Sequence, residues 1–150
     1  MFMKSLLPKT ARACLLALGT LALWSDTAGA QTVTISNLFS ISTTNGRPYL
    51  TNAAANSYSE RGVAYNPLNN HAYIVSRASG VLRVAILDGD TGAEIGFLNV
   101  TGITGGTFAL STISVAADGA IYAANLTTGS ATSPYKIYRW ADESSAPTVA

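Results

Sequence analysis

Thiol and imidazole side chains are nearly absent from this sequence. Its 150 residues include one cysteine, Cys14, and one histidine, His71. Because Cys14 lies in the N-terminal segment described below, the rest of the chain has no disulfide, thiol nucleophile or thiolate metal site. One histidine is too few for a common histidine metal centre, and no nucleophile motif accompanies it. We therefore predict no catalytic residue and no cofactor, and we place His71 at a sheet-surface or turn position.

Charge of either sign is also scarce. Charged residues make up 11% of the chain, with nine Lys and Arg against eight Asp and Glu. Three of these cations and one of these acids precede residue 31, so the remainder carries six against seven, or about −1. No basic run is present, and we therefore expect neither nucleic acid nor an anionic membrane as a partner.

The first thirty residues have the three parts of a secretory signal peptide. Lys4, Lys9 and Arg12 are followed by an apolar run at 13–24 and by the small residues 28–30. The run is shorter than the ~20 residues of a spanning helix, although an uncleaved anchor is the alternative. Cleavage after Ala30 would leave Gln31 first, and the product would be secreted, periplasmic or displayed on the cell surface.

After residue 30 the sequence shows no amphipathic helix but a strand pattern that occurs twice. The first copy covers 62–88 and the second 114–141, about fifty residues apart. The corresponding positions are Val63 and Val115, Tyr73 and Tyr122, and Val84 and Ile137. Four short strands per copy predict an all-β fold built from β-propeller blades, which are four-stranded antiparallel sheets.

The predicted organisation has four parts. Residues 1–30 are the signal peptide, 31–60 a strand from Val33 through Ile41 with a connector, 61–108 the first blade with its connector, and 109–150 an incomplete second blade. The first blade's fourth strand is predicted at 95–100, and Asp118-Gly119 is predicted as a two-residue hairpin turn with both φ angles positive. Propellers close with four to eight blades, so we expect the front part of a longer protein. A small independent β domain is the alternative.

Several phrases of the first copy resemble YVTN-type and NHL-type propeller repeats. They are Val63-Ala64-Tyr65-Asn66-Pro67, Tyr73-Ile74-Val75-Ser76 and Val84-Ala85-Ile86-Leu87-Asp88 with Thr91-Gly92. The second copy contributes Ile121-Tyr122-Ala123-Ala124-Asn125 but lacks the Asn-Pro and Thr-Gly elements. The resemblance implies a surface-exposed propeller used for binding or as a scaffold, which is an analogy at the level of fold.

Two groups of residues are candidates for ligand sites. Asp88, Asp90 and Glu94 have a spacing that resembles part of a calcium loop, although Asp, Gly and Thr are equally typical of a strand-connecting turn. Arg61 and Arg77 flank the first hairpin, where they form either an anion-binding rim or ion pairs with Glu60, Asp88 or Asp90.

Aromatic residues are densest at 135–140. Alternation places Tyr138 and Trp140 on one face, where they either stack on a sugar or peptide ligand or pack against the neighbouring sheet.

Two functions follow from these observations. The first is a non-enzymatic exported propeller that binds a protein, peptide or carbohydrate. The alternative is a propeller hydrolase or lactonase whose metal ligands come from further blades. The lack of an acid–base pair or an activated nucleophile in residues 31–150 favours the binding module.

Overall fold

Each copy of the repeated pattern folds into one antiparallel sheet. The computed structural model describes residues 34–43, 46–50 and 59–150, and residues from Ser36 to Ala150 form one compact unit. The first sheet contains β1 (Glu60–Asn66), β2 (His71–Ser76), β3 (Arg83–Asp88) and β4 (Glu94–Phe97). The second contains β5 (Phe108–Val115), β6 (Ile121–Leu126), β7 (Ile137–Trp140) and β8 (Thr148–Val149). The all-β class with four strands per copy is confirmed.

Each strand pairs with its neighbour in the chain, so each sheet is a simple meander. The described residues contain no α-helix, and none of their helical turns is long and apolar enough to cross a membrane. Alternating side chains point to opposite faces of each sheet, so the pairing register decides which residues share a face.

The register makes the two sheets directly comparable. Tyr73 lies opposite Ile86 in the first sheet, and the corresponding residue Tyr122 lies opposite Arg139 in the second. We call the face that carries these residues the front face and the opposite one the rear face. The front faces consist of Tyr73, Val75, Val84 and Ile86 in the first sheet and of Tyr122, Ala124, Ile137 and Arg139 in the second. The rear faces consist of Ala72, Ile74, Ala85 and Leu87 and of Ile121, Ala123, Tyr138 and Trp140.

The main core lies between the front face of the first sheet and the rear face of the second. It joins Tyr73, Val75, Val84 and Ile86 to Ile121, Ala123, Tyr138 and Trp140. The faces that meet are therefore not equivalent, as they would be in a sandwich with twofold symmetry. The sheets follow one another front to rear.

The sheets approach most closely at their first strands. A Cβ atom on Gly62 of β1 would lie 3.2 Å from the backbone nitrogen of Ile113 in β5, so glycine permits this approach. Farther out, the connector between β4 and β5 contributes the buried residues Leu98 and Ile103 to the shared core. The indole nitrogen of Trp140 donates to the Asn99 carbonyl of that connector at 2.7 Å. The connector thus occupies part of the space between the two sheets.

The rear face of the first sheet is covered by residues that precede β1. Tyr49 is fully buried against Ala85 and Leu87, with Ile41 and Leu50 beside it. The predicted strand starts at Val33, outside the described residues, and residues 34–41 form no strand in the described structure. Within this segment Phe39 and Ile41 are partly buried, whereas Ile35 and Leu38 are exposed, so only its last residues pack near the sheet.

Two details of the strand ends also differ from prediction. The turn at Asp118 and Gly119 has a positive φ of 86° only at the glycine, whose N–H donates to the Ala116 carbonyl at 2.9 Å. Asp118 instead accepts a hydrogen bond from the Ala120 N–H, which stabilises the longer turn. The fourth strand of the first sheet ends at Phe97, because Leu98 turns into the core between the sheets.

Candidate functional site

Three turns surround a cleft at one end of the two sheets. The cleft has a volume of about 410 Å³ and lies among the β1–β2 turn, the β5–β6 turn and the β7–β8 loop. Its walls carry mostly polar side chains, which include Asn66, Asn69, Tyr73, Asp118, Asp142 and Glu143. Turns place polar groups here because Asn and Asp side chains bond to the backbone of the same turn. Asn66, for example, accepts from the Leu68 N–H at 3.0 Å.

Glu143 is the centre of the hydrogen bonding in this cleft. Its Oε1 atom accepts from Tyr73 Oη at 2.6 Å, from His71 Nδ1 at 2.7 Å and from Asn69 Nδ2 at 2.9 Å. Because a carboxylate only accepts, the imidazole must carry its proton on Nδ1. We call Asn69, His71, Tyr73 and Glu143 the glutamate cluster. It joins the first sheet to the β7–β8 loop.

The surroundings of the glutamate cluster shift the pKa values of two of its groups, Glu143 and Tyr73, in opposite directions. Burial alone would raise the pKa of the Glu143 carboxyl, but hydrogen bonds from Tyr73 and His71 outweigh burial and leave that pKa below its ordinary value. Burial, followed by the bond to Glu143, raises the pKa of the Tyr73 hydroxyl. Near neutral pH the cluster therefore contains a carboxylate and a neutral phenol.

The arrangement suits recognition of polar groups. The side chains around the cleft offer the carboxylates of Asp118, Asp142 and Glu143 as acceptors, whereas the amide nitrogen of Asn69 already donates to Tyr73 and Glu143. A ligand with many hydroxyl or amino groups would find complementary partners here.

Sequence reasoning placed His71 at a strand or turn surface but did not identify Glu143. The two residues lie 72 positions apart, and no local motif connects them. Glu143 lies in a short polar stretch after β7 that carries no recognisable signature. The repeat itself was the only available signal, since it predicts that turns at the same end of neighbouring sheets meet.

The calcium candidates do not form a cluster. Asp88 Oδ1 accepts from the hydroxyl of Thr91 at 2.7 Å and from its N–H at 2.8 Å, and these bonds lower the pKa of the Asp88 carboxyl. Asp90 accepts from Asn70, and Glu94 is exposed on β4. Within the described residues, no three His, Cys, Asp or Glu side chains come together as a metal site. Asp88 stabilises its own turn, as the alternative interpretation predicted.

Arg61 and Arg77 meet at the opposite end of the first sheet. Their guanidinium carbons lie 4.0 and 3.7 Å from the centre of the Phe108 ring. The predicted ion pairs with Asp88 and Asp90 do not form in the described structure, because those carboxylates bind Thr91 and Asn70. We call this arrangement the arginine sandwich.

Tyr138 and Trp140 are packing residues. Their exposed fractions are 2% and 0%, and both belong to the core between the sheets. The Tyr138 hydroxyl donates to the Thr104 carbonyl at 2.7 Å. Their rings therefore offer no free face to a sugar or a peptide.

Comparison with known proteins identifies the family to which this chain belongs. The family model described as a domain of unknown function, DUF4623, matches residues 28–150. This chain belongs to the DUF4623 family. A crystal structure of a DUF4623 family protein from Bacteroides eggerthii DSM 20697 is 28% identical, with a TM-score of 0.51 over 61% of this chain and 21% of that one. The chain thus spans about a fifth of the solved relative. No protein of the curated set matches it significantly.

The predicted YVTN or NHL membership is wrong, because the family match and the solved relative both belong to DUF4623. The phrases that suggested it describe generic features of short antiparallel strands. Asn-Pro and Thr-Gly favour turns, and alternating Tyr and Val favour strands, whatever the family. The DUF4623 model identifies the domain without assigning a function to it.

Proposed function

We propose that this DUF4623 domain is an exported binding module that holds a hydroxyl-rich ligand, most simply a carbohydrate, in the cleft around the glutamate cluster. The observation that carries the proposal is the cleft itself. It is open, about 410 Å³ in volume, and bordered by an ordered set of acceptors that does not require a catalytic role. Buried or partly buried hydrogen bonds to charged groups contribute about 1.5–3 kcal/mol each, which gives such a site useful selectivity.

The export part of the proposal rests on the N-terminal sequence. Lys4, Lys9 and Arg12 precede an apolar run and the small residues that end at Ala30. This segment lies outside the described residues, and the DUF4623 match begins at residue 28, close to the proposed cleavage point. N-terminal sequencing of the protein recovered outside the cytoplasm should begin at Gln31. Recovery of the protein with residues 1–30 still attached would contradict cleavage.

We further propose that the two sheets are neighbouring propeller blades. Front-to-rear packing and the close approach of β1 and β5 support this, because blades radiate from their first strands and repeat the same interface. An experimental structure of the protein in its full reading frame tests the idea. The front face of the second sheet should be covered by the rear face of another sheet. Coverage by a helix would overturn the blade assignment.

The hydrolase alternative finds no support among the described residues. Their carboxylates and single histidine do not gather into a group of three that holds a metal ion. The binding proposal accounts for the glutamate cluster without any reacting group.

Binding is tested by titrating neutral oligosaccharides against the full chain. Asn69→Ala should weaken the best ligand about tenfold, because it removes the amide at the cleft wall that holds Tyr73 and Glu143 in place. Asn37→Ala is the matched control, since Asn37 is exposed and bonds to Ser40 instead. Equal affinity of the wild type and Asn69→Ala would overturn the cleft as the binding site. Release of new reducing ends during the titration would instead indicate a hydrolase.

A further inference from the structure

The arginine sandwich concentrates positive charge at the end of the sheets away from the glutamate cluster. Two guanidinium groups at 4.0 and 3.7 Å from one ring centre would overlap on the same face, so they lie on opposite faces of Phe108. Their carbon atoms are therefore no more than about 8 Å apart. A ring between two cations is attractive to each, but the cations repel one another.

The backbone is irregular where these side chains meet. Glu60 pairs with Ser76 and Gly62 with Val75, so Arg61 is the extra residue of a β-bulge. The pairing of β5 also shifts between Phe108 and Thr112. Bulges redirect side chains and are frequent beside functional sites. Both irregularities lie at the contact between Arg61 and Phe108.

The two guanidinium groups are only partly satisfied by hydrogen bonds from the described residues. The Nε atoms of Arg61 and Arg77 are buried and have no hydrogen-bond partner there, although buried polar atoms are normally satisfied. The ion pair that the described residues make, between His71 and Glu143, involves neither arginine. Burial lowers the pKa of Arg77, and the charge of Arg61 lowers it further. The Phe108 ring balances this charge only in part.

We propose that Arg61 and Arg77 form a binding site for a phosphate group carried by a small ligand. A phosphate monoester has up to two negative charges near neutral pH, which match the two guanidinium charges. Its several oxygens accept from two separate guanidinium groups, and arginine is well suited to such oxyanions. A monocarboxylate would leave one positive charge without a partner. This site is separate from the cleft and does not depend on the carbohydrate proposal.

Isothermal titration of the full chain with inorganic phosphate and with a hexose phosphate tests the site, with acetate at equal ionic strength as the comparison. Phosphate should bind measurably more tightly than acetate. Arg61→Gln and Arg77→Gln should each weaken phosphate binding about tenfold, the loss expected for one charged hydrogen bond. Arg139→Gln is the matched control, because Arg139 also faces an aromatic ring but donates to the hydroxyl of that ring, Tyr122.

Three results would overturn the proposal: no phosphate binding by the folded wild type, equal affinity for acetate, or an equal loss in Arg139→Gln. If Arg61→Gln fails to fold, Arg61→Lys keeps the charge but loses the planar fork, and weaker phosphate binding in that variant supports the site. Tighter binding of the hexose phosphate than of inorganic phosphate would support a phosphorylated sugar as the ligand. Equal binding of both would indicate that the phosphate group alone is recognised.

Discussion

The front faces of the two sheets occupy equivalent positions but have different surroundings. In the first sheet, Tyr73 and Ile86 are buried against the second sheet, with exposed fractions of 0% and 5%. In the second sheet, Tyr122 and Arg139 take the same places, and Ile137 is 40% exposed. The rear faces differ less in burial. Residues before β1 cover the rear face of the first sheet, and the first sheet covers the rear face of the second. A repeated sequence pattern therefore fixes strand topology, whereas burial is decided by the neighbour that each face meets.

The largest expected effect on stability comes from a substitution on the rear face of the second sheet, which the first sheet covers. Trp140→Ala removes a fully buried ring and its hydrogen bond to Asn99, so it should lower the free energy of unfolding by about 3–5 kcal/mol. Ile137→Ala, on the front face of the same strand, should cost less than about 1.5 kcal/mol because its side chain is partly exposed. Urea denaturation followed by circular dichroism measures both. Equal losses would show that the two faces are equally buried in solution.

The close approach of the first strands gives the next prediction. A Cβ atom at Gly62 would lie 3.2 Å from the Ile113 nitrogen and 3.3 Å from the Thr112 Cα, and backbone atoms cannot easily move aside. Gly62→Ala should therefore destabilise the protein by about 1–3 kcal/mol. Gly96→Ala is its control, because a Cβ there meets nothing within 4 Å. Thermal unfolding of the two variants should separate them clearly, and a Gly62→Ala protein as stable as the control would contradict the close contact between β1 and β5.

Glu143→Gln tests the link between the first sheet and the β7–β8 loop. The amide keeps the shape but loses the charge, so the bonds from Tyr73 and His71 weaken and stability should fall by about 1–2 kcal/mol. Glu94→Gln is the control, since Glu94 is exposed on β4. The difference in urea midpoint is the measurement. No difference between the two variants would mean that the glutamate cluster does not contribute to stability.

The smallest expected effect is on how steeply the stability of the protein declines as the pH falls. The pKa of Glu143 is lower in the folded protein than in the unfolded chain, so its stabilising contribution is complete above the unfolded value of about 4.3 and is lost as pH falls through the folded value. Asp88 and Asp142 have lowered pKa values for local reasons and act in the same direction. Melting temperatures measured from neutral pH down to acid should therefore decline less steeply for Glu143→Gln than for the wild type. Parallel declines would contradict the lowered pKa of Glu143.

The repeat predicted most of the sheet topology. Strand periodicity and turn residues are local properties, so β2 and β3 were recoverable from the sequence. The apolar alternation at 34–41 predicted a strand, but Ile35 and Leu38 are exposed and these residues form no strand in the described structure. The Asp118 turn was misjudged because Asp-Gly fits several turn types.

The candidate sites were less predictable because they join distant parts of the chain. Phe108 was not recognised as the partner of Arg61 and Arg77, since a cation over a ring leaves no spacing pattern. Glu143 reaches His71 only because the front-to-rear arrangement brings two turns together. Asp88, by contrast, was correctly given a turn alternative because its partners lie within three residues.

The meander connectivity of both sheets has a kinetic consequence. Every strand pair joins consecutive strands, so each sheet forms through short-range hairpin closures, whose entropic cost is small. The bond between Glu143 and His71 spans 72 residues and gains nothing until both sheets exist. We therefore expect the sheets to form early and their mutual docking to set the folding rate, with the β7–β8 loop acquiring its protection against hydrogen exchange last.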